Sequence, residues 1–248
     1  MQARIRHGLK ILFTLIIIAT SYAIVINIAM YYIGNQNSEI LIPIIGACIA
    51  FVTSILALIK DFIISYIDSP KIIIEIHPYD KRDCHKTCYK TESGQFVAWV
   101  YYFRVRIKNI GWDTAEYVEV SLEEVRRKDK KDYIIDYDFI PLNLKWSLWG
   151  EKRLELSIPS GTYRYCDLGH LEEPSAFAAM ENGLLLLKFD VLFHPNIGRT
   201  SLLPGDYKIV LSAFGKNVRS TKKTICIKWS GKWHDDIDAL YKDSLSFE

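Results

Sequence analysis

Two long stretches of this sequence lack charged residues altogether. Residues 11–38 and residues 40–59 contain no Asp, Glu, Lys or Arg, and most of their side chains are apolar. A helix over residues 11–33 would be about 35 Å long, enough to cross the hydrocarbon core of a bilayer. The sequence therefore predicts an N-terminal transmembrane α-hairpin, with helices at 11–33 and 40–67, the second including an interfacial extension, and an external loop at 34–39.

The external loop also lacks basic residues, which sets the orientation of the predicted hairpin. Residues 1–10 form a basic N-terminal tail, and Lys60 and Lys71 follow the second apolar run. Because basic residues favour the cytoplasmic side, both termini are expected in the cytoplasm, as in a two-pass protein of the cell (inner) membrane. A cleaved signal peptide ending near Ala23 is the weaker alternative, because the apolar run continues too far beyond it.

Small side chains recur at four-residue spacing on both predicted helices. They are Ala19, Ala23 and Asn27 on the first and Gly46, Ala50 and Ser54 on the second. Small residues at this spacing let two helices approach closely within the lipid bilayer. We expect them to seal the hairpin itself, and a homo-oligomer formed through the helices is the alternative.

The chain lacks an excess of either charge. It has 31 Lys and Arg residues against 29 Asp and Glu residues, a formal net charge of +2. Nucleic-acid-binding domains usually carry a clear basic excess, so no nucleic acid is expected as a partner. The five cysteines are an odd number, which favours a reducing compartment over a secreted domain held by disulfides.

Catalytic motifs are missing as well. No G-x-S-x-G, H-E-x-x-H or G-x-x-x-x-G-K-[ST] pattern occurs in the sequence, so no motif pairs a nucleophile with a base. A hydrolytic site built from Ser160, Asp167 and His170 can be imagined, but a turn of this composition needs no such role. We therefore expect no enzyme, no catalytic residue and no cofactor.

What the sequence does contain is a series of strand patterns after the uncharged runs. The clearest stretch, residues 100–122, turns at an Asn-Ile-Gly sequence at residues 109–111. Before the turn, Phe103, Val105 and Ile107 alternate with polar residues. Alternation with a period of two indicates a strand with one buried face.

Similar strand patterns continue along the chain, with turn signals between them and no convincing long helix. They predict an all-β antiparallel sandwich over residues 70–233, with a small closed β-barrel as the alternative. Residues 234–248 are predicted to form a C-terminal tail with a short helix. The predicted β-domain is long enough to bury a core of its own.

Four segments resemble parts of a known module. Residues 103–111 followed by 115–120 resemble a strand pair of immunoglobulin-like or CARDB-like domains, and residues 203–210 and 227–233 are similar to their last strands. Together with the predicted hairpin, the chain resembles prokaryotic proteins that have two transmembrane helices and a C-terminal immunoglobulin-like domain. The resemblance implies an immunoglobulin-like sandwich, and it carries over no functional residue because its motifs belong to the fold.

Cysteine and histidine residues supply one candidate metal site. Cys84, Cys88, Cys166 and His170 would offer three thiolates and an imidazole, a ligand set that suits tetrahedral Zn²⁺. The spacing of the first two cysteines is looser than usual, and the fold would have to bring the two halves together. The alternative is a loop with free thiols and Cys166 as a small core residue.

The candidates for partner binding are basic and aromatic. Arg104, Arg106 and Lys108 lie on the polar face of the central strand, and Trp229 and Trp233 stand beside lysines near the end of the chain. A solvated sheet face and core packing are the simpler interpretations of these two groups.

From these features we expect a membrane-anchored, non-enzymatic binding or scaffold module. It would present its β-domain at the cytoplasmic membrane face to a protein partner or a small ligand. The alternative follows from analogy of layout with antiphage proteins that have two helices and a β-domain. It is a ligand-sensing membrane effector that oligomerises through its helices and disrupts the membrane.

Overall fold

The computed structural model describes most of residues 69–248, the predicted β-domain and tail, and few of residues 1–68, the predicted hairpin. It describes residues 69–90, 93–147, 153–175, 180–181 and 184–248, and before residue 61 the positions 17, 20, 23, 24, 27, 31, 46, 47, 49–54, 57 and 60. The chain divides into two compact units, Met1–Asp68 and Ser69–Glu248.

None of the helices that the described residues form is long and apolar enough to cross a membrane. This finding contradicts the predicted transmembrane hairpin, and with it the two-pass cell-membrane localisation with cytoplasmic termini. A spanning helix needs about 20 consecutive apolar residues, and no helix among the described residues meets this requirement. Residues 1–10, the 34–39 loop and most of the segments 11–33 and 40–67 lie outside the described residues.

The described part of the second unit consists of strands and one short helix. In chain order the strands are β1 (Ile72–Glu75), β2 (Cys84–Lys90), β3 (Phe96–Asn109), β4 (Ala115–Asp129), β5 (Asp132–Ile135), β6 (Leu142–Asn143), β7 (Lys145–Trp146), β8 (Leu156–Ile158), β9 (Tyr163–Glu172), β10 (Met180–Glu181), β11 (Leu184–Leu185), β12 (Leu187–Phe189), β13 (Ser201–Leu202), β14 (Gly205–Gly215), β15 (Val218–Trp229) and β16 (Leu245–Phe247), and the helix is α1 (Ile237–Asp243). The strands pair antiparallel throughout the two main sheets.

The two main sheets differ in strand order. The first has the order β1-β3-β9-β12-β13, with β2 also paired to β3 and β7 to β9. The second has the order β16-β15-β14-β4-β5, with β6 and β8 also paired to β4. Since β9 occupies one side of β3, β2 and β1 share the other side, β2 along the first half of β3 and β1 along its last residues.

The sheets face each other across one hydrophobic core. Phe103 of the first sheet packs on Phe247 of the second with ring centroids 5.3 Å apart, and Val105 and Ile107 on β3 are fully buried. Side chains that alternate along a strand point to opposite faces, so the polar residues of β3 lie on the outer face of the first sheet. The β part of the predicted fold class, an antiparallel sandwich, therefore agrees with the structure, whereas its helical hairpin does not.

The turn after β3 is held by one buried asparagine. Asn109 donates from Nδ2 to the carbonyl oxygens of Asp113 (2.7 Å) and Ile158 (2.9 Å). Its Oδ1 accepts from the backbone N–H groups of Lys71 (3.2 Å) and Gly111 (3.0 Å). A Cβ on Gly111 would collide with the Lys71 backbone, so this close approach requires glycine. The Asn-x-Gly pattern thus ties together the chain at the start of β1, the end of β3 and the end of β8.

The C-terminal residues belong to the second sheet. Helix α1 begins after Asp236, whose carboxylate accepts the N–H of Ala239 at 3.0 Å as an N-cap. Leu240 and Tyr241 of α1 are buried, and β16 pairs with the end of β15. Residues 234–248, predicted as a tail with a short helix, thus extend the sandwich by one helix and one strand.

Candidate functional site

The outer face of the first sheet carries a cluster of ionisable and aromatic side chains. Strand register places His85, Tyr102, His170 and Lys188 side by side on β2, β3, β9 and β12. The rings of His85 and Tyr102 stack with centroids 6.0 Å apart, and those of Tyr102 and His170 are 5.6 Å apart. Strand pairing brings these residues together, because each comes from a different strand.

Arg106 lies at the centre of an ion-pair network on this face. Its Nε donates to Asp83 Oδ1 at 2.8 Å, and its Nη2 donates to Asp83 and to Asp80. The Asp83 side chain is 1% exposed and that of Arg106 is 13% exposed. Burial lowers the pKa of Arg106, but the hydrogen bonds to Asp80 and Asp83 outweigh it and raise the pKa overall. Hydrogen bonds from Arg82, and a further one from Arg106, hold the pKa of Asp80 well below its usual range.

A second arginine on the same face pairs with a buried carboxylate. Arg104 Nε donates to Asp167 Oδ1 at 3.2 Å, and Ser147 Oγ donates to the same oxygen. Burial raises the pKa of Asp167, and the hydrogen bonds from Ser147 and Arg104 offset this only in part. The guanidinium carbons of Arg104 and Arg106 each lie 5.8 Å from the centroid of the Tyr165 ring.

His170 is held between two carboxylates. Its Nδ1 lies 3.0 Å from Asp190 Oδ1 and its Nε2 lies 3.4 Å from Glu172 Oε1, while Lys188 Nζ lies 2.8 Å from Glu172 Oε2. Burial lowers the pKa of His170, but hydrogen bonds to Asp190 and Glu172 outweigh it and raise the pKa to about 9. The hydrogen bond from His170 lowers the pKa of Glu172 to about 2. The imidazole is therefore a cation at neutral pH.

This arrangement does not suit His170 to the role of general base. Both ring nitrogens face carboxylates and carry protons, so neither can accept another. Ser160 Oγ donates to the Gly111 carbonyl oxygen at 2.7 Å, and Asp167 is engaged by Ser147 and by an arginine. The structure thus gives each member of the imagined hydrolytic trio a separate partner.

The residues considered as zinc ligands lie on both faces of the first sheet. Cys84 and Cys166 are buried in the core, whereas His170 lies on the outer face beside Tyr102. Burial raises the pKa of the Cys84 thiol to about 12 and that of Cys166 well above its usual value, and the metal ligand is the thiolate. Cys88 pairs with Trp99 on the side of β3 opposite to β9. Within the described ranges, no group of three His, Cys, Asp or Glu side chains is placed to hold a metal ion.

Of the basic residues predicted to bind a partner, two are neutralised within the domain. Arg104 and Arg106 each face their own carboxylates, whereas Lys108 is 39% exposed and its Nζ is 3.9 Å from Glu75. A buried arginine that holds its own carboxylate offers little free charge to a partner. This face is therefore a self-neutralised network and not a basic patch.

The two tryptophans predicted to bind a partner do not form an exposed patch. Trp229 is 2% exposed and donates from Nε1 to the Leu185 carbonyl oxygen at 3.1 Å. Trp233 is partly buried; its ring centroid is 5.0 Å from that of Tyr101, and its Nε1 donates to Asp235 at 3.2 Å. Packing within the sandwich accounts for both side chains.

An exposed apolar tip lies at the turn end of the β2–β3 hairpin. Its members, each between 41% and 53% exposed, are Tyr89, Phe96, Val97 and Trp99. Phe96 packs against Trp99 with ring centroids 5.7 Å apart, and Lys86 Nζ lies 5.5 Å from the Trp99 centroid. Sequence reasoning missed this patch, although its signal is visible at residues 96–101, which are apolar without alternation.

An open cavity of about 540 Å³ beside β9 is a second feature that sequence reasoning missed. It is lined by Ser147, Leu156, Gly161, Thr162, Tyr163, Arg164 and Tyr165. Arg164 donates from Nη1 to the Tyr163 carbonyl oxygen at 3.0 Å, and it makes no ion pair with the residues that the structure describes. No local pattern predicts this cavity, because its walls come from strands β8 and β9, the turn between them and the residue that follows β7.

Comparison with known proteins adds no assignment to these features. No family model, no curated protein and no solved structure matches the chain. The resemblance to prokaryotic proteins with an immunoglobulin-like domain therefore stays a prediction from the sequence.

Proposed function

We propose that residues 69–248 form a non-enzymatic binding module that docks a protein partner at the apolar tip. The observation that carries the proposal is the exposure of Tyr89, Phe96, Val97 and Trp99 at one end of a hairpin. Contiguous exposed apolar residues are typical of interaction sites, and aromatic residues dominate binding hot spots. Covering them would remove apolar surface from water at a gain of about 25 cal/mol per Å².

The polar outer face of the first sheet supports a binding role in preference to catalysis. Arg104, Arg106 and His170 are each engaged with carboxylates that lie on a neighbouring strand or directly beside its end. Groups that neutralise one another in this way hold strands together and present no activated nucleophile or base. We therefore assign them to stability and assign partner contact to the apolar tip.

Site-specific photo-cross-linking in the cell that makes the protein tests the proposal. Replacing Phe96 of the full chain with the photoreactive p-benzoylphenylalanine is expected to give one adduct of defined mass, because the probe then lies in the partner interface. The same replacement at Phe193 is the matched control, since Phe193 is 66% exposed but lies outside the apolar tip. No adduct of that mass is expected from position 193.

Two further variants show whether the tip itself makes the contact. Trp99→Ser is expected to weaken partner binding about 30-fold, which is the effect of losing one hot-spot aromatic residue. The yield of the adduct from position 96 should fall with it. Trp229→Phe removes one buried hydrogen bond, costs about 1 kcal/mol of stability and should leave the adduct unchanged. Equal adducts from positions 96 and 193, or none from position 96, would contradict the proposal.

A further inference from the structure

We infer that the partner contributes an extended, acidic segment that pairs with the open edge of β2 and adds a strand to the first sheet. This inference rests on the proposed function, because it names the chemistry of the partner docked at the apolar tip. Three features of β2 support this inference. Backbone groups that point away from β3 have no partner in the described structure, the strand carries basic but no acidic residues, and it lies beside the apolar tip.

The first feature is the open backbone edge of β2. The strand hydrogen-bonds to β3 along one side. Arg104 N–H donates to the Asp83 carbonyl oxygen at 2.7 Å, and bonded residues alternate along an antiparallel pair. Counting from this bond, the backbone groups of Lys86 and Cys88 point away from β3. In the described structure, no hydrogen bond reaches these outward groups.

Other long edges of the sandwich are protected. Thr221 Oγ1 donates to the Ile72 carbonyl oxygen at 2.9 Å, which joins the edge of β1 to that of β15. At the far ends of the sheets, β13 has 2 residues, β16 has 3 and β5 has 4. By contrast, β2 offers 7 residues.

The charge of β2 indicates an acidic occupant. The strand Cys84–Lys90 contains His85, Lys86 and Lys90 but no Asp or Glu. Lys86 Nζ is already engaged by Asp235 Oδ1 at 3.0 Å, and burial lowers the pKa of His85, so the charge that β2 leaves for a partner is that of the exposed Lys90. A second copy of β2 would bring basic residues together, whereas opposite charges on neighbouring strands are favourable.

The apolar tip continues the same edge. Tyr89 follows Cys88 on β2, and Trp99 and Phe96 lie opposite the last residues of β2 on β3. A strand laid along β2 therefore passes beside the tip. Its alternate side chains can bury apolar groups there, while a carboxylate of the same segment meets Lys90. Main-chain hydrogen bonds give such complexes affinity, and side-chain contacts give them specificity.

Two synthetic peptides test the inference on the full-length chain. Acetyl-(Glu-Val)₄-amide is expected to bind at least about 10-fold more tightly than acetyl-(Lys-Val)₄-amide at low salt, measured by fluorescence anisotropy with labelled peptides. With the acidic peptide bound, the amides of Lys86 and Cys88 should exchange hydrogen at least about 10-fold more slowly. Equal affinities for the two peptides, or unchanged exchange at both amides, would overturn strand addition.

A proline variant separates strand addition from docking at the tip. Cys88→Pro removes one outward N–H and no bond to β3, so binding of the acidic peptide is expected to become about 10-fold weaker. The control Cys88→Ala keeps the N–H and should bind the peptide as tightly as the unaltered chain does. If Cys88→Pro binds equally well, strand addition is wrong. In that case, a photo-adduct from position 96 that persists in Cys88→Pro would still support the proposed function. Loss of the same adduct in Trp99→Ser tests only whether the apolar tip makes the contact. The exchange measurement needs no variant, so the test holds even if Cys88→Pro fails to fold.

Discussion

Arg106→Met is expected to lower the free energy of unfolding by about 3–5 kcal/mol, because it leaves a buried carboxylate without its cation. Asp83 keeps only 1% of its side-chain surface exposed. Its Oδ2 has no hydrogen-bond partner within the described structure, so no neighbour there can compensate. Urea denaturation followed by tryptophan fluorescence would measure the loss.

The matched control for this prediction is Lys108→Met, on the same strand and face. Lys108 is more exposed and its Nζ lies 3.9 Å from Glu75, so the expected cost is under about 1 kcal/mol. Combining Arg106→Met with Asp83→Leu should recover about half of the loss or more, because no charge is then left buried alone. Similar costs for Arg106→Met and Lys108→Met would contradict the prediction.

The second large effect is a loss of stability at alkaline pH through His170. The folded protein raises the pKa of this imidazole from its usual 6.5 to about 9. The stabilisation from its two carboxylates is therefore fully present below about pH 6.5 and lost as the pH rises through about 9, a change of about 3 kcal/mol. The free energy of unfolding at pH 6 and at pH 9.5 measures this loss directly.

His170→Gln provides the control for the alkaline loss. The glutamine does not titrate, so the variant should be less stable at pH 6 and should lose about 3 kcal/mol less between pH 6 and pH 9.5 than the unaltered chain. Other groups that titrate in this range are common to both proteins and cancel in the comparison. Equal losses in the two proteins would mean that the bonds to Asp190 and Glu172 do not hold the proton on the ring.

Local sequence patterns predicted the β-domain well where the alternation of residues directly determines which side chains are buried. The alternation of Phe103, Val105 and Ile107 correctly indicated the core face of β3. The Asn-x-Gly sequence marked a turn that Asn109 in fact holds through four hydrogen bonds. Both features depend on neighbours along the chain, which is why they are visible without the fold.

The N-terminal prediction shows the opposite case. Two uncharged runs suggested spanning helices, yet no described helix has the length and apolarity to span a membrane. Hydropathy counts the composition of a segment and does not by itself establish a helix. The predicted hairpin and the two-pass localisation are therefore contradicted by the described residues.

Partners of the charged residues could not be predicted from spacing. Arg106 meets Asp83, which precedes it on the loop before β2, and Arg104 meets Asp167 on β9. The same strand pairing turns His170 outward and Cys166 inward, which divides the predicted zinc ligands between two faces. Such contacts depend on the order of strands in the sheet, which no short stretch of the sequence indicates.

The sequence by itself determined that this chain builds antiparallel strands with one apolar face, because a period of two and turn residues act over a few positions. Tertiary structure alone decided which charges cancel, which tryptophan is buried and which edge stays open. Trp229 was predicted to contact a partner and is only 2% exposed, whereas Trp99, which the sequence analysis did not single out, is 44% exposed at the end of the β2–β3 hairpin. Burial is a property of what packs against a residue, so the candidate binding surface became visible only when both sheets were in place.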